Sequence, residues 1–193
     1  MSEQLEIEFK TLLVKSDFER LLEHFVDAKI YQQTNYYFDT PDFQLKEQQC
    51  GLRIRLFTTY AELTLKSPQP LGLLETTDTL QLAEAKALLK DDQIKLDGKV
   101  AQKISEFGID PASVTCFADL TTTRHELKLP EGLLALDEST YGKTGHDYEL
   151  ELEVTPSQAT TEHFQNFLAT LNLSYHPVQN KIKRALAERQ KEM

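Results

Sequence analysis

Cysteine is scarce in this chain: Cys50 and Cys116 lie far apart and neither belongs to a CxxC pair, which argues against a zinc knuckle or a disulfide framework and for two buried or half-buried thiols. Glycine and proline are sparse too, at 7 each in 193 residues. With 40% hydrophobic and 27% charged residues, that composition excludes a fibrous repeat and a disordered chain. No run approaches the roughly 18 apolar residues of a membrane span, and the opening MSEQLEIEFK has neither a basic segment nor an apolar signal core. A cytoplasmic protein is expected, for which the sequon Asn172-Leu173-Ser174 has no meaning. Basic residues are outnumbered, 21 Lys and Arg against 31 Asp and Glu for a net charge of −10. That balance counts against nucleic acid or membrane as a partner and leaves room for a local basic pocket. The length suits one domain over residues 1–193, as a monomer or homodimer.

What is present is mostly alternation. In Leu5-Glu6-Ile7-Glu8-Phe9-Lys10 apolar and charged residues take turns, as in a strand with one greasy and one ionic face. The pattern recurs in Leu52 to Leu56, Glu62 to Lys66 and Glu149 to Val154, and further strands are expected at Tyr31 to Asp39, Leu73 to Leu80, Val114 to Leu120, Thr121 to Leu129 and Leu133 to Ser139. Ser16 and Glu19 have capping-box spacing before a helix whose apolar stripe of Phe18, Leu21, Leu22 and Phe25 runs on to Lys29. Helices are also expected over Leu82 to Lys90, Lys99 to Phe107, Ser157 to Leu171 and from about Gln179 to the end. Short turns such as Thr58-Thr59-Tyr60-Ala61 and Pro130-Glu131-Gly132 imply antiparallel pairing. That many strands avoid open edges by closing or packing face to face. The expected fold is α+β, an antiparallel barrel with helices outside; the pattern leaves open whether the ionic strand faces turn into the lumen or, as is more usual, out to solvent.

Glu6 and Glu8 project from one strand face roughly 7 Å apart, and Glu149, Glu151 and Glu153 repeat the spacing on a late strand. If these strands are neighbours, the carboxylates crowd one patch and need a counter-charge, for which Mg2+ or Mn2+ is the natural oxygen-liganded choice. By spacing alone, two acidic solvent-facing strands explain the pattern as well. Lys10, Arg53, Arg55, Lys66, Arg124, Lys181 and Arg184 form a matching basic set, suited to phosphate through the bidentate reach of Arg and the point charge of Lys.

Taken together, Glu6-Ile7-Glu8-Phe9-Lys10, Tyr37-Phe38-Asp39, Leu52-Arg53-Ile54-Arg55, Leu63-Thr64-Leu65-Lys66, Thr123-Arg124, Leu136-Asp137, Glu149-Leu150-Glu151-Leu152-Glu153 and Asn180-Lys181 form a collinear series covering almost the whole chain. It resembles the CYTH superfamily, the triphosphate tunnel metalloenzymes, which includes class IV adenylate cyclases, thiamine triphosphatases and inorganic triphosphatases, and in particular its small bacterial stand-alone branch. The resemblance implies a closed eight-stranded antiparallel β-barrel with its charged faces inward. Glu6, Glu8, Glu151 and Glu153 would hold Mg2+ or Mn2+, with Asp137 assisting and Glu149 as a third late ligand or a base. Lys10, Arg53, Arg55, Lys66, Arg124 and Lys181 would bind the triphosphate, Lys181 from the last helix. Glu6, Glu8, Lys10, Arg53, Arg55, Glu151 and Glu153 would form the catalytic set. The implied activity is metal-dependent hydrolysis of inorganic triphosphate or an organic or nucleoside triphosphate, with a class IV-type adenylate cyclase and a non-catalytic triphosphate or polyphosphate sensor as alternatives. One departure is Leu73-Leu74-Glu75-Thr76-Thr77, where many members carry an Arg-x-Glu pattern.

Other features carry less. Gly142-Lys143-Thr144 ends like a Walker A loop, but Asp137 stands where the first glycine belongs. His24, His125, His146, His163 and His176 have no zinc-binding spacing. Tyr36, Tyr37 and Phe38 are better placed to fill a core than to stack on a base.

Overall fold

The computed structural model describes residues 2–192, with side chains through Glu188. Alternation produces the strands expected: β1 (Ser2–Glu6), β2 (Glu8–Leu13), β3 (Lys29–Asp39), β4 (Gly51–Leu56), β5 (Tyr60–Pro68), β6 (Leu73–Gln81), β7 (Thr115–Leu129), β8 (Gly132–Tyr141) and β9 (Gly145–Glu153). Helices α1 (Lys15–His24), α2 (Gln44–Glu47), α3 (Leu82–Lys90), α4 (Lys99–Glu106), α5 (Thr161–Thr170) and α6 (Lys181–Glu192) lie between and after them. The nine strands form one curled antiparallel sheet in the order β1-β6-β5-β4-β3-β7-β8-β9-β2. Among the described residues no helix is long and apolar enough to cross a membrane.

The first charged segment is not one strand, as its alternation suggests, but two. Leu5 pairs with Leu74 of β6, whereas Phe9 pairs with Leu152 of β9, so β1 and β2 are the two edges of the sheet with Ile7 between them. The Ile7 carbonyl accepts from the Val154 amide at 2.9 Å. Gly72 makes the close approach beside this break possible: its φ is +74°, and a Cβ there would lie 2.2 Å from the Glu6 carbonyl oxygen.

The apolar strand faces are covered from outside by helices. Leu52, Ile54, Leu63 and Leu65 pack with Ala85 of α3 and with Val100 and Ile104 of α4. Leu134, Leu136, Leu150 and Leu152 pack with Phe18 and Leu21 of α1 and with Phe164, Phe167 and Leu168 of α5. The ionic faces are thereby turned to the concave side of the sheet, as the family resemblance implies and not as solvent-facing acidic strands.

Several boundaries differ from the sequence reading. β7 is a single 15-residue strand rather than two: Asp119 is tolerated because its side chain is exposed, while Ala118 and Leu120 on either side are buried. α1 ends at His24, five residues before Lys29, because Lys29 is drawn into β3 opposite Glu126. Its N-cap is Val14 with no side-chain hydrogen bond, so the Ser16 to Glu19 spacing does not form a capping box there. α5 begins at Thr161 because Thr160 caps the His163 amide, and Pro156–Gln158 forms a separate 3-10 turn. The short helix α2 was not expected. Buried Asp39 organises it, its carboxylate accepting from the amides of Thr40, Leu45 and Lys46 at 2.8, 2.9 and 3.1 Å.

Candidate active site

Because successive side chains alternate across a strand, alternate residues of several neighbouring strands line one cavity of about 560 Å3. Its wall includes Glu6, Glu8 and Lys10 of the first segment, Tyr31, Gln33 and Asn35 of β3, Arg53 and Arg55 of β4, Lys66 of β5, Glu75 of β6, Arg124 and Glu126 of β7, Glu151 and Glu153 of β9, and Lys181 of α6. Residues from both ends of the chain therefore meet in one charged chamber.

Three carboxylates of this acidic set are committed to cations. Asp137 and Glu149 are fully buried and Glu151 is 5% exposed. The Arg124 guanidinium donates to Asp137 at 2.8 and 2.6 Å and also to Glu151. From α6, the Lys181 ammonium reaches Asp137 at 2.6 Å, Glu149 at 3.4 Å and Glu151, while Arg184 one turn later donates to Glu149. Burial opposes ionisation of Asp137 and Glu151, but the adjacent Arg124 and Lys181 charges outweigh it and hold both carboxyls below their ordinary range. For Glu149 burial prevails and its pKa is raised; its Oε1 has no hydrogen-bond partner.

The remaining carboxylates are less fully compensated. Lys66 bridges Glu6 and Glu75, the latter at 3.0 Å, and Lys10 pairs with Glu8 at 2.7 Å. Glu153 has no cation among the described residues and accepts one long bond of 3.3 Å from Gln4. Its pKa is raised by burial and by Glu6, Glu75 and Glu8. Glu6, Glu8, Glu126, Glu151 and Glu153, with Arg124, surround a smaller void of about 30 Å3, room for about one water or ion.

Arg55 is the converse case. Its Nε donates to Asn35 Oδ1 at 2.8 Å, and no carboxylate among the described residues pairs with it. Burial, followed by the Arg53 and Arg124 charges, pushes its pKa down to about 10. Arg53 makes one ion pair, at 3.4 Å with Glu75, and its buried Nε has no partner. Two guanidiniums in a chamber with spare donors have the chemistry to receive an anion.

The sequence-derived residues are thus brought together, but in two groups. Glu6, Glu8, Glu151 and Glu153 border the small void; Asp137 and Glu149 do not, being bound to the basic residues of β7 and α6. No three His, Cys, Asp or Glu side chains among the described residues converge as a ready-made metal site. The donor chemistry still fits a hard divalent cation: carboxylate oxygens around an ion-sized void, one of them without a counter-charge. Glu126 and Tyr31, whose hydroxyl donates to Glu126 at 2.7 Å, were overlooked, although Glu126 stands two residues after Arg124 and so on its face. Both cysteines are free thiols, Cys50 buried and Cys116 half-buried. Gly142-Lys143-Thr144 lies between β8 and β9 and precedes no helix. Tyr37 and Phe38 are core residues at 2% and 1% exposure.

A charged chamber of this kind, on a curled antiparallel sheet, has a recognisable family. The model of the CYTH domain matches residues 4–186, and the chain belongs to that family. It is 34% identical over 193 residues to the protein named Putative triphosphatase YjbK of Bacillus subtilis, covering 99% of both chains. Among solved structures, a putative adenylate cyclase from Bacillus halodurans superposes with a TM-score of 0.87 at 39% identity, covering 95% of this chain and 98% of that one. The putative adenylyl cyclase HpAC1 from Hippeastrum, which has a dominant triphosphatase activity, shares the fold with a TM-score of 0.77 at 24% identity over 97% of this chain and 96% of that one.

Proposed function

We propose that this protein is a cytoplasmic, metal-dependent triphosphatase that hydrolyses inorganic triphosphate or an organic or nucleoside triphosphate and releases phosphate. The observation that carries the reading is Arg55, a guanidinium in the chamber wall that no carboxylate among the described residues pairs with, lining the same cavity as Glu153, a carboxylate with no paired cation among them. Such a pair of opposite imbalances is relieved together by a polyanion and a divalent cation. The names of the B. subtilis and Hippeastrum proteins agree with it. We also read the sheet as closed, with β1 and β2 acting as one strand that joins β6 to β9 across Ile7 and makes an eight-stranded tunnel.

In this reading Arg53 and Arg55 take the phosphate oxygens first, because their donors are the least engaged. Lys10, Lys66, Arg124 and Lys181 turn part of their charge from carboxylates to the substrate. Glu6, Glu8 and Glu153, with Glu151, would hold Mg2+ or Mn2+, which supplies charge neutralisation on the phosphate oxygens and a more acidic bound water. Phosphoryl transfer demands little covalent chemistry from the protein beyond in-line positioning and charge stabilisation. A carboxylate of the chamber takes the proton of the attacking water. Asp137 and Glu149 fix the orientation of Arg124, Lys181 and Arg184.

The test is a pair of variants assayed for phosphate release. Glu8→Gln should lower turnover by about a hundredfold, the scale of losing one transition-state electrostatic contact, and shift the metal requirement upward. Arg53→Ala should chiefly raise KM. Full activity in both would sink the assignment. The name of the B. halodurans relative supports a second reading, cyclisation of ATP; cyclic AMP among the ATP products would establish it. Tight triphosphate binding without turnover would instead make the protein a sensor.

A further inference from the structure

Glu126 differs from the other carboxylates of the small void. It stands two residues after Arg124 on β7 and so on the same face. In register it lies opposite Ala135 of β8, and Ala135 lies opposite Glu151 of β9. Two glutamates with backbones roughly 10 Å apart, twice the strand spacing, thus flank a side chain that is only a methyl, and the room above it suits about one water. Every residue around the void except Ala135 also lines the larger cavity, so a water there faces the substrate. The other four carboxylates come from β1, β2 and β9: Lys66 and Lys10 hold Glu6 and Glu8, Arg124 and Lys181 hold Glu151, and Glu153 is opposed by Glu6, Glu75 and Glu8. Glu126 pairs with no cation among the described residues and is anchored by a neutral donor, the Tyr31 hydroxyl, at 2.7 Å from its Oε2. Tyr31 faces Arg124 across the β3–β7 pairing and reaches Glu126 on the diagonal. Burial, followed by this bond, pushes the Tyr31 pKa up to about 12, so at neutral pH the phenol remains a donor and Glu126 the acceptor. A structural role explains this carboxylate poorly, since no backbone group or cation among the described residues depends on it.

We propose that Glu126 is the general base of the hydrolysis, held in place by Tyr31 as a positioning residue. This rests on the triphosphatase reading of the chamber and assigns the proton that the reaction releases. The oxygen of a water beside Glu126 bonds to the terminal phosphorus, the bridging P–O bond breaks, and its electron pair leaves on the diphosphate product. A proton of that water passes to the Glu126 carboxylate. Being half-buried rather than sealed, Glu126 returns it to solvent after each turnover. The carboxylates of β1, β2 and β9 are thereby kept for the cation.

The test separates proton transfer from the binding of metal and substrate. Wild type, Glu126→Gln, Tyr31→Phe and the double variant are assayed for phosphate release from inorganic triphosphate, and Mn2+ binding to each protein without substrate is titrated by electron paramagnetic resonance. Glu126→Gln should lower kcat by about a hundredfold or more, the usual share of a positioned base, with KM and Mn2+ affinity within about twofold of wild type. Tyr31→Phe should lower kcat by about tenfold, the scale of one hydrogen bond. The double variant should be no slower than Glu126→Gln alone, because Tyr31 acts only through Glu126. A loss below about tenfold in Glu126→Gln, Mn2+ binding that weakens along with its turnover, or losses that multiply in the double variant would overturn the assignment and leave the triphosphatase reading standing. No phosphate release by the wild type overturns both.

Discussion

Replacing Arg55 by methionine separates what the chamber costs from what it does. At neutral pH the wild-type protein holds this guanidinium charged although burial and two neighbouring arginines disfavour it. Its pKa is lowered from 12.5 to about 10, which corresponds to on the order of 3 kcal/mol against the charged form. The sign follows from linkage: a cation whose folded pKa is depressed destabilises the fold fully below that pKa, and the penalty fades as the pH rises from about 10 toward the unfolded value. Because the side chain keeps contact with the cavity, 3 kcal/mol is an upper bound. Against the gain stands Asn35, buried at 1% exposure, whose carbonyl oxygen would lose its donor at a cost of about 1 kcal/mol. A methionine of similar length preserves much of the packing. The net expectation is a gain of about 1 to 2 kcal/mol, or a rise of about 2 to 8 °C in melting temperature for a chain of this size. Added triphosphate, which stabilises the wild type by mass action, should raise the variant's melting temperature far less. Thermal unfolding by circular dichroism at pH 7, with and without inorganic triphosphate, reads both effects. A variant that melts several degrees lower and is still fully protected by triphosphate would refute the reasoning, because Arg55 would then be a structural residue satisfied by its own surroundings.

Two further predictions concern the scaffold. Lys181→Met should cost about 3 to 5 kcal/mol, the scale of breaking a buried ion pair, since it strips charge compensation from Asp137, Glu149 and Glu151. Asp137 and Glu151, with depressed folded pKa values, contribute stability at neutral pH that is lost as the pH falls through those values. The gap between wild type and variant in urea denaturation should therefore narrow in acid; an equal gap at all pH values would contradict the charge argument. Val14→Ser supplies a cap to α1, whose N-cap is a valine 60% exposed with extended backbone angles. It should raise stability by about 1 kcal/mol, and an unchanged or lower melting temperature would show that Phe18 and Leu21 already fix the helix end.

The strands were legible because a two-residue period marks an extended chain with two unlike faces; the inward direction of their charged faces was not fixed by that period, which suits a solvent-facing acidic strand as well, and came only from the family resemblance. The division of Leu5 to Lys10 between two edges was not legible. Its alternation runs unbroken through Ile7, and only pairing with β6 on one side and β9 on the other ends the first strand and starts the second. Parity put Glu6, Glu8 and Lys10 on one face and Arg53 with Arg55 on another, and that these faces meet in one chamber with Arg124 came from the resemblance rather than from spacing. Which carboxylate meets which cation depends on strand register and on the reach of α6, and neither is written in local spacing. Asp137 therefore read as an assisting metal ligand, whereas it is the acceptor of Arg124 and Lys181. Tyr60 was assigned to a turn by its threonine neighbours, although it begins β5 and stacks on Phe57.

The central claim is that the chamber hydrolyses triphosphates with a divalent cation. The most direct test is phosphate release by the purified protein from inorganic triphosphate, ATP and thiamine triphosphate, each with Mg2+, Mn2+ or EDTA, with the ATP reactions also assayed for cyclic AMP. The account predicts phosphate release that depends on the metal and is abolished by EDTA; undiminished release in EDTA, or no release from any of the three, would contradict it.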